Sequence, residues 1–435
     1  MVALTDSFSK AQFGFLSGRC TTQQLLLFFN SICESVDSKS QVDVIYLDFA
    51  KAFDSVPHNE LLAKLHSMGV TGTLWKWFQG YLKERQQCVC VGNCRSRLLP
   101  VVSGVPQGSI LGPLLFLLYV NDLPKSVKNS LLMLFADDAK CSKKVSKPDH
   151  CVDLQRDLDS LGNWSREWKL VFKAPKCVHL RFCRRDPPIE SSYTIGDTQV
   201  SISSTHRDLG VIASSDLTWS AHYRHIASQA YKTLGLLRRT FRSADSVTAK
   251  RILYITLIRT QILYGSQVWR PFMIKDISLL ERIQRRATKY ILNDYTSDYK
   301  TRLISLDILP LMAELEIGDL TFFLRNLKTP GDHFDVTRHL HFSNKSTRSA
   351  THKKLTQVRS ETTHARNTFF NRLPRLWNSL PPLDPEASLE CNKKRLKIIF
   401  KDNFIENFDP SITCTHHYIC PCHRCSHSPK PANFS

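Results

Sequence analysis

The 435-residue sequence predicts an α+β fold followed by a helical region. Three observations carry this. Up to about Ser220, apolar strand-like runs and helix-period stripes are mixed without strict βαβ alternation, which disfavours a doubly wound sheet. Beyond Ser220 the pattern turns helical. Hydrophobic residues make up 42% of the chain and aromatics 10%, enough to build a core over most of its length rather than a disordered coil.

The elements follow in order. Thr21 to Val36 reads as a helix with an apolar stripe through Leu25, Phe28, Phe29 and Ile32. Val42 to Phe49 is a mostly apolar, buried strand carrying Asp48 at its end. Ser55-Val56-Pro57 starts a helix, since Ser caps and Pro suits a first turn, and Gly69 ends it. Leu74 to Leu82 is helical and rich in aromatics. Gln87 to Val91 and Leu98 to Val102 flank a turn at Gly92-Asn93 and form a hairpin. Ser103 to Pro113 is a Gly/Pro-rich loop, and Leu114 to Val120 a short buried helix. Leu131 to Phe135 is an apolar strand that Ala136-Asp137-Asp138-Ala139 breaks off sharply. Cys151 to Lys169 is amphipathic, with Leu154, Leu158, Leu161 and Trp168 inward. Three further helices are expected over His222 to Phe241, Val247 to Tyr264 and Ile274 to Leu292. The polar stretch from Gly331 to Thr363 reads as a linker or loop.

Charge is unevenly spread. The formal net charge is +20, yet through Lys140 there are 13 basic and 11 acidic residues, and thereafter 46 and 28. Basicity concentrated in one part of a chain points to a polyanion as partner. On the helix Ile274 to Leu292, Arg282, Arg285, Arg286 and Lys289 share one face, opposite Ile277, Leu280 and Ile283. That face is either a solvated surface or a track for a phosphate backbone. No run reaches the roughly 18 apolar residues of a membrane helix. The N-terminus lacks the segments of a signal peptide, so an intracellular place, cytoplasm or nucleus, is expected, with no membrane partner. The 14 cysteines are then free thiols or metal ligands rather than a disulfide framework.

The chemistry centres on carboxylates at strand ends. Two adjacent acids closing an apolar strand, Asp137 and Asp138, repel each other, and burial worsens this unless a cation or donors compensate. Asp48 also ends an apolar strand, and pairing of the two strands would bring it beside Asp137. Carboxylates bridging two metals about 3.5–4 Å apart suit in-line nucleotidyl transfer. Asp54, near a helix start, serves as a cap or structural acid.

At this point the sequence resembles the reverse transcriptases of non-LTR (LINE-like) retrotransposons. Tyr46 to Asp54 resembles motif A, Ser103-Gly104-Val105-Pro106-Gln107-Gly108-Ser109 motif B, and Phe135-Ala136-Asp137-Asp138 motif C, in that order. Gln12-Phe13-Gly14-Phe15, Leu209-Gly210-Val211, Ile283 to Thr288 and Phe370 to Pro381 have the same character. The resemblance implies a right-hand polymerase palm with partial fingers over residues 1–182. It implies a connection and helical thumb-like region over 183–330 and a basic C-terminal extension over 331–435. It implies an RNA-directed DNA polymerase that uses an RNA template, a DNA primer and dNTP with two Mg²⁺ ions; protein partners are not indicated. By motif position, Asp48, Asp137 and Asp138 would be the metal-binding, catalytic carboxylates, and Lys176 would act on the leaving pyrophosphate. Phe53 would screen the sugar, while Gln107 and Gly108 would lie at the nucleotide. Arg282, Arg285, Arg286 and Lys289 would hold nucleic acid. Lys173 stands where Asn is usual, and Arg207-Asp208 where a Lys-aromatic pair is usual. Family members carry further finger strands and an endonuclease upstream, so the expectation is an N-terminally truncated copy. Its alternative reading is a catalytically impaired remnant that only binds nucleic acid.

Near the C-terminus, Cys414, Cys420, Cys422 and Cys425 lie among four histidines, either as a Zn²⁺ site or as a reduced tail. Lys393 to Lys397 resembles a nuclear-localisation run, but the preferred reading is the solvated face of a helix that buries Leu396, Ile398, Ile399 and Phe400.

Overall fold

The computed structural model describes residues 8–184, 187–241, 245–343, 354–360 and 362–407. The chain divides into two compact units, residues 1–24 with 38–206, and residues 25–37 with 207–435. Helix α1 (Thr21–Asp37) precedes strand β1 (Gln41–Leu47). In the first unit β1 is buried along its whole length because it is the middle strand of five. It pairs antiparallel with β3 (Asp138–Val145) on one side and with β4 (Val178–Phe182) on the other. Strand β2 (Leu131–Phe135) forms a hairpin with β3, and β5 (Ser201–Ser203) runs parallel to β4. The order is therefore β5-β4-β1-β3-β2. The two strands expected to pair directly, β1 and β2, are separated by β3.

One acid interrupts the apolar run of β1. Asp43 is fully buried and accepts hydrogen bonds from Ser191 Oγ and Tyr193 Oη, each at 2.7 Å, and from Gln41 Nε2 at 2.9 Å. His179 and Arg181 of β4 stand beside it at 3.5 and 3.8 Å. Helices α2 (His58–Ser67), α3 (Gly72–Leu82), α4 (Leu111–Val120) and α5 (Asp149–Glu167) complete the unit, and α5 packs against β3. Leu115 to Val120 are all buried, which is why α4 reads as apolar on every side. One core joins Ile45 and Leu47 of the sheet to Leu61, Phe116, Leu118 and Leu158 of the helices. Each such side chain contributes about 1.5–3 kcal/mol by leaving water. The expected hairpin about Gly92-Asn93 forms as two short ladders, Gln86–Gln87 with Leu99–Pro100 and Cys90–Val91 with Cys94–Arg95.

The second unit is helical, with α6 (Ser220–Thr240), α7 (Val247–Leu253), α8 (Ile274–Leu292), α9 (Tyr299–Ser305), α10 (Leu311–Lys328), α11 (Phe369–Asn378) and α12 (Leu389–Asn407). The expected helix over Val247 to Tyr264 changes to π geometry at Tyr254–Arg259. α8 packs on α6, α9 and α10, and α10 on α11 and α12. Beneath α11, Arg372 and Arg270 converge on buried Asp319, with Arg372 Nε and Arg270 Nη1 each 2.9 Å from Oδ2, and Arg270 also pairs with Glu316. The segment read as a linker instead contributes to the core, since Phe334, Val336, Leu340 and Leu355 are buried. The basic run Lys393 to Lys397 lies on α12 above buried Leu396 and Phe400, while Ile398 is exposed. Among the described residues no helix is long and apolar enough to cross a membrane.

Candidate active site

The β2–β3 hairpin closes at the pair Phe135 and Asp138, so Ala136 and Asp137 occupy the turn itself. Ala136 takes a left-handed conformation, φ 55°, which costs an L-residue about 1–2 kcal/mol. Strand β1 ends at Leu47 opposite Ala139, and Asp48 follows at once, beside the turn. The neighbourhood of Asp48 and Asp137 thus comes through β3, not through direct pairing of the apolar strands. Asp137 is half-buried, and Asp138, the next residue on the pleat, is exposed. Burial, joined by the negative charge of Asp48, holds the Asp137 carboxyl above the ordinary aspartate range.

The segment after α5 runs back along the end of β1. Ala50 N donates to Val171 O at 2.8 Å and Lys173 N to Asp48 O at 2.7 Å, and Phe49 stacks on Phe172 at 4.5 Å. A single 3₁₀ turn, Ala174–Lys176, then brings the Lys176 ammonium to 3.4 Å from Asp48 Oδ2. Lys173 meets the site through its backbone, so its departure from the family pattern leaves that hydrogen bond intact.

The Ser103 to Gly108 loop is latched onto the turn after β1. Val105 N donates to Phe53 O and Gly104 N to Val56 O, both at 2.8 Å, and Gly104 O lies 2.9 Å from His58 Nε2. Gly104 has φ 92°, and a Cβ there would sit 2.8 Å from Asp54 O, so only glycine fits. Gln107 is exposed and donates Nε2–H to Asp54 Oδ1 at 2.8 Å. Gly108, also exposed, needs glycine for its φ of 77° alone, since nothing lies near its missing Cβ. Phe53 is half-buried, stacked on Phe116 at 4.5 Å and edge-on to exposed Phe15 at 6.3 Å.

One residue at this site had no role assigned from sequence. Gln12 is 2% exposed, and its Oε1 accepts from both Gly14 N and Ala136 N at 2.8 Å. Phe13 N and Leu134 N exchange backbone hydrogen bonds with Leu134 O and Ala11 O. A Cβ on Gly14 would fall 2.4 Å from Ala136 N. The Gln12-Phe13-Gly14 segment therefore clamps the carboxylate turn. The sequence marks the run Gln12-Phe13-Gly14-Phe15 by its resemblance but not this role, since Ala136 lies 124 residues away.

Among the described residues no group of three or more His, Cys, Asp or Glu side chains is drawn together to hold a metal ion. The three carboxylates expected as a set are not preformed, because Asp137 and Asp138 follow one another where the pleat begins. Asp48 and Asp137 still suit Mg²⁺, which typically takes one or two carboxylates together with substrate phosphates and water. The cysteines Cys414, Cys420, Cys422 and Cys425 lie outside the described residues.

In the second unit, Arg282, Arg285, Arg286 and Lys289 all line one concavity with Tyr295, Tyr299 and Arg302. Arg282 and Arg286 are exposed, whereas Arg285 lies over the Tyr299 ring at 4.3 Å. The expected basic face of α8 is brought together as a concave wall.

Residues 1–237 match the family described as reverse transcriptase (RNA-dependent DNA polymerase). The chain is 28% identical over 300 residues to the "RNA-directed DNA polymerase from mobile element jockey" of Drosophila melanogaster, covering 66% of this chain and 32% of that protein. It is 30% identical over 292 residues to the "Probable RNA-directed DNA polymerase from transposon X-element" of the same organism, covering 64% and 31%. The chain thus spans about a third of the length of these relatives. Among solved structures, apo telomerase from Candida Tropicalis is 12% identical with a TM-score of 0.40, covering 70% of this chain and 51% of that one.

Proposed function

The chain belongs to the reverse transcriptase (RNA-dependent DNA polymerase) family, and from that premise we propose that it extends a DNA primer on an RNA template. The observation that carries the proposal is the convergence of Asp48 and Asp137 at the ends of neighbouring strands, where their mutual repulsion is offset, among the described residues, by the Lys176 ammonium and a backbone N–H.

In the proposed reaction the primer 3′-oxygen forms a bond to the α-phosphorus of a dNTP, the bond to the pyrophosphate oxygen breaks, and the hydroxyl proton passes to solvent. Asp48 and Asp137, with Asp138 adjoining, would hold two Mg²⁺ ions, which when bound activate the attacking hydroxyl and stabilise the leaving oxygen. Lys176 Nζ, 3.4 Å from Asp48, carries positive charge to the same place, where it can neutralise or protonate departing pyrophosphate. Phe53, held flat by Phe116, offers a rigid ring as a sugar filter. Gln107 and Gly108 stand exposed where a base pair could be read. The basic wall of α8 supplies phosphate contacts that hold template and primer.

The test is primer extension on an RNA template with Mg²⁺, comparing wild type with Asp137→Asn. Loss of a group that stabilises the transition state should lower kcat by at least about 10²-fold. Equal incorporation by both proteins refutes the site. No incorporation by wild type, with salt-dependent binding of nucleic acid retained, refutes the polymerase reading and leaves binding alone.

A further inference from the structure

We propose that Asp54 is a positioning residue for nucleotide selection, acting through Gln107; the proposal rests on the polymerase reading above. The Ser103 to Gly108 loop and the 53–58 segment are joined at several points, and all but one use the backbone of one side or both. Val105 N meets Phe53 O, Gly104 N meets Val56 O, and Ser103 Oγ donates to Asp54 O at 2.9 Å. The close packing of Gly104 is likewise against Asp54 backbone atoms. Among the described residues the one hydrogen bond to the Asp54 side chain is that from Gln107 Nε2, at 2.8 Å.

A carboxylate accepts hydrogen bonds and donates none. Asp54 can therefore face only the NH₂ end of the Gln107 carboxamide, and Gln107 Oε1 is turned away from it as an acceptor. Without Asp54 an exposed glutamine presents donor or acceptor with similar ease. A fixed acceptor edge favours a partner that presents a donor and leaves a wrong partner unpaired, which is the strongest form of discrimination a polar site offers. Asp54 touches no reacting atom; it sets which edge Gln107 shows. Its position at the first turn of the short helix Ala52–Ser55 is what places its carboxylate over the loop.

The proposal is tested on the full chain by steady-state primer extension with correct and incorrect dNTPs on an RNA template. Asp54→Ala should worsen discrimination on the order of 3- to 10-fold, the range expected for loss of one hydrogen bond. The change should fall on KM for the correct dNTP, with the melting temperature held because the backbone latch remains. Asp54→Asn, which can accept or donate, should lie between the two. Gln107→Ala combined with Asp54→Ala should be no worse than Gln107→Ala alone. Unchanged discrimination in Asp54→Ala, or additive effects in the double variant, overturns the proposal. A uniform loss for correct and incorrect dNTPs with a lowered melting temperature would mean a structural role only, and also overturns it. If wild type does not extend primers, the polymerase reading fails by itself. The positioning is then read from the ¹⁵N-labelled Gln107 side-chain amide, assigned with Gln107→Ala. Its proton shifts should move in Asp54→Ala, and an unmoved signal overturns the contact.

Discussion

Gln12 gives the sharpest test of how the carboxylate turn is held. Its side chain is 2% exposed, and Oε1 accepts from Gly14 N and Ala136 N at 2.8 Å, while Nε2 reaches Ala136 O at 3.4 Å. Gln12→Ala removes the acceptor for two buried N–H groups. Each unsatisfied group costs about 1–3 kcal/mol, so the variant should lose about 2–6 kcal/mol of stability, read from urea unfolding. The loss also has a place. Ala136 is left-handed at φ 55° and is held there in part by this hydrogen bond. Released, it relaxes toward an allowed region and carries Asp137 with it. A displacement of about 1 Å at a reacting centre lowers kcat on the order of 10²-fold. Gln23→Ala is the control. Gln23 is also buried, but its Oε1 accepts from Cys20 N at 3.0 Å, within the start of α1. It should cost stability and spare kcat. The reasoning fails if Gln12→Ala stays within about 0.5 kcal/mol of wild type, the range of a neutral surface change. It also fails if stability falls while primer extension keeps its rate.

Three further outcomes follow from the geometry. His222 is buried, and burial, with His225 and Arg207 adding repulsion, pushes its pKa down to about 3 from 6.5. The unfolded chain then takes up the proton first, so stability present above pH 6.5 is lost as pH falls, by about 2 kcal/mol between pH 6.5 and 4.5. His222→Gln should remove that slope from pH-dependent urea unfolding, and an unchanged slope would show that other groups set it. On the basic wall, Arg282→Ala and Arg286→Ala should each reduce the salt slope of nucleic-acid binding by about 1, equally for all sequences. A slope that stays constant would put the strand elsewhere. Finally, Asp43→Ala strips a buried group of its hydrogen-bonded partners and should cost about 3–5 kcal/mol, whereas Asp137→Asn removes a charge disfavoured by burial and by Asp48 and should raise the urea midpoint. A drop for Asp137→Asn would mean its carboxylate is structural.

Where one residue face decided the matter, the sequence was easily read. β2 spans Leu131–Phe135 and α8 spans Ile274–Leu292, as their apolar patterns indicate. β3 escaped because Asp138–Val145 carries Lys140, Lys143 and Lys144, yet Lys140 is 3% exposed and Ser142 6%. A central strand with polar groups buried against distant partners has no local signature. β4 is hidden the same way, since His179 and Arg181 stand beside Asp43, more than 130 residues away in the chain. Missing β3 also misplaced the sheet order, because the turn residues were assigned to the end of a strand rather than to a hairpin. In the site, Asp48 and Asp137 were legible as acids that end apolar runs. The clamp by Gln12 and the hydrogen bond between Gln107 and Asp54 were not, because each joins residues far apart in the chain.

Those hydrogen bonds separate the acids that the sequence alone cannot rank. Asp43, Asp48, Asp137 and Asp157 all belong to or adjoin apolar elements of the first unit. Asp43 collects donors from Ser191, Tyr193 and Gln41, with two basic side chains beside it. Asp157 accepts from the Lys128 and Asn129 backbone at 3.0 and 2.9 Å. Both are saturated, and both hold parts of the fold together. Asp137 is half-buried in its turn, its own backbone N–H is the group that lowers its pKa, and burial and Asp48 oppose it. Among the described residues Asp48 pairs with one exposed lysine, Lys176. Among the described residues the first pair of aspartates gathers several donors each and the second pair fewer, which supports the proposal that the charge of the pair at the strand ends is met by bound cations.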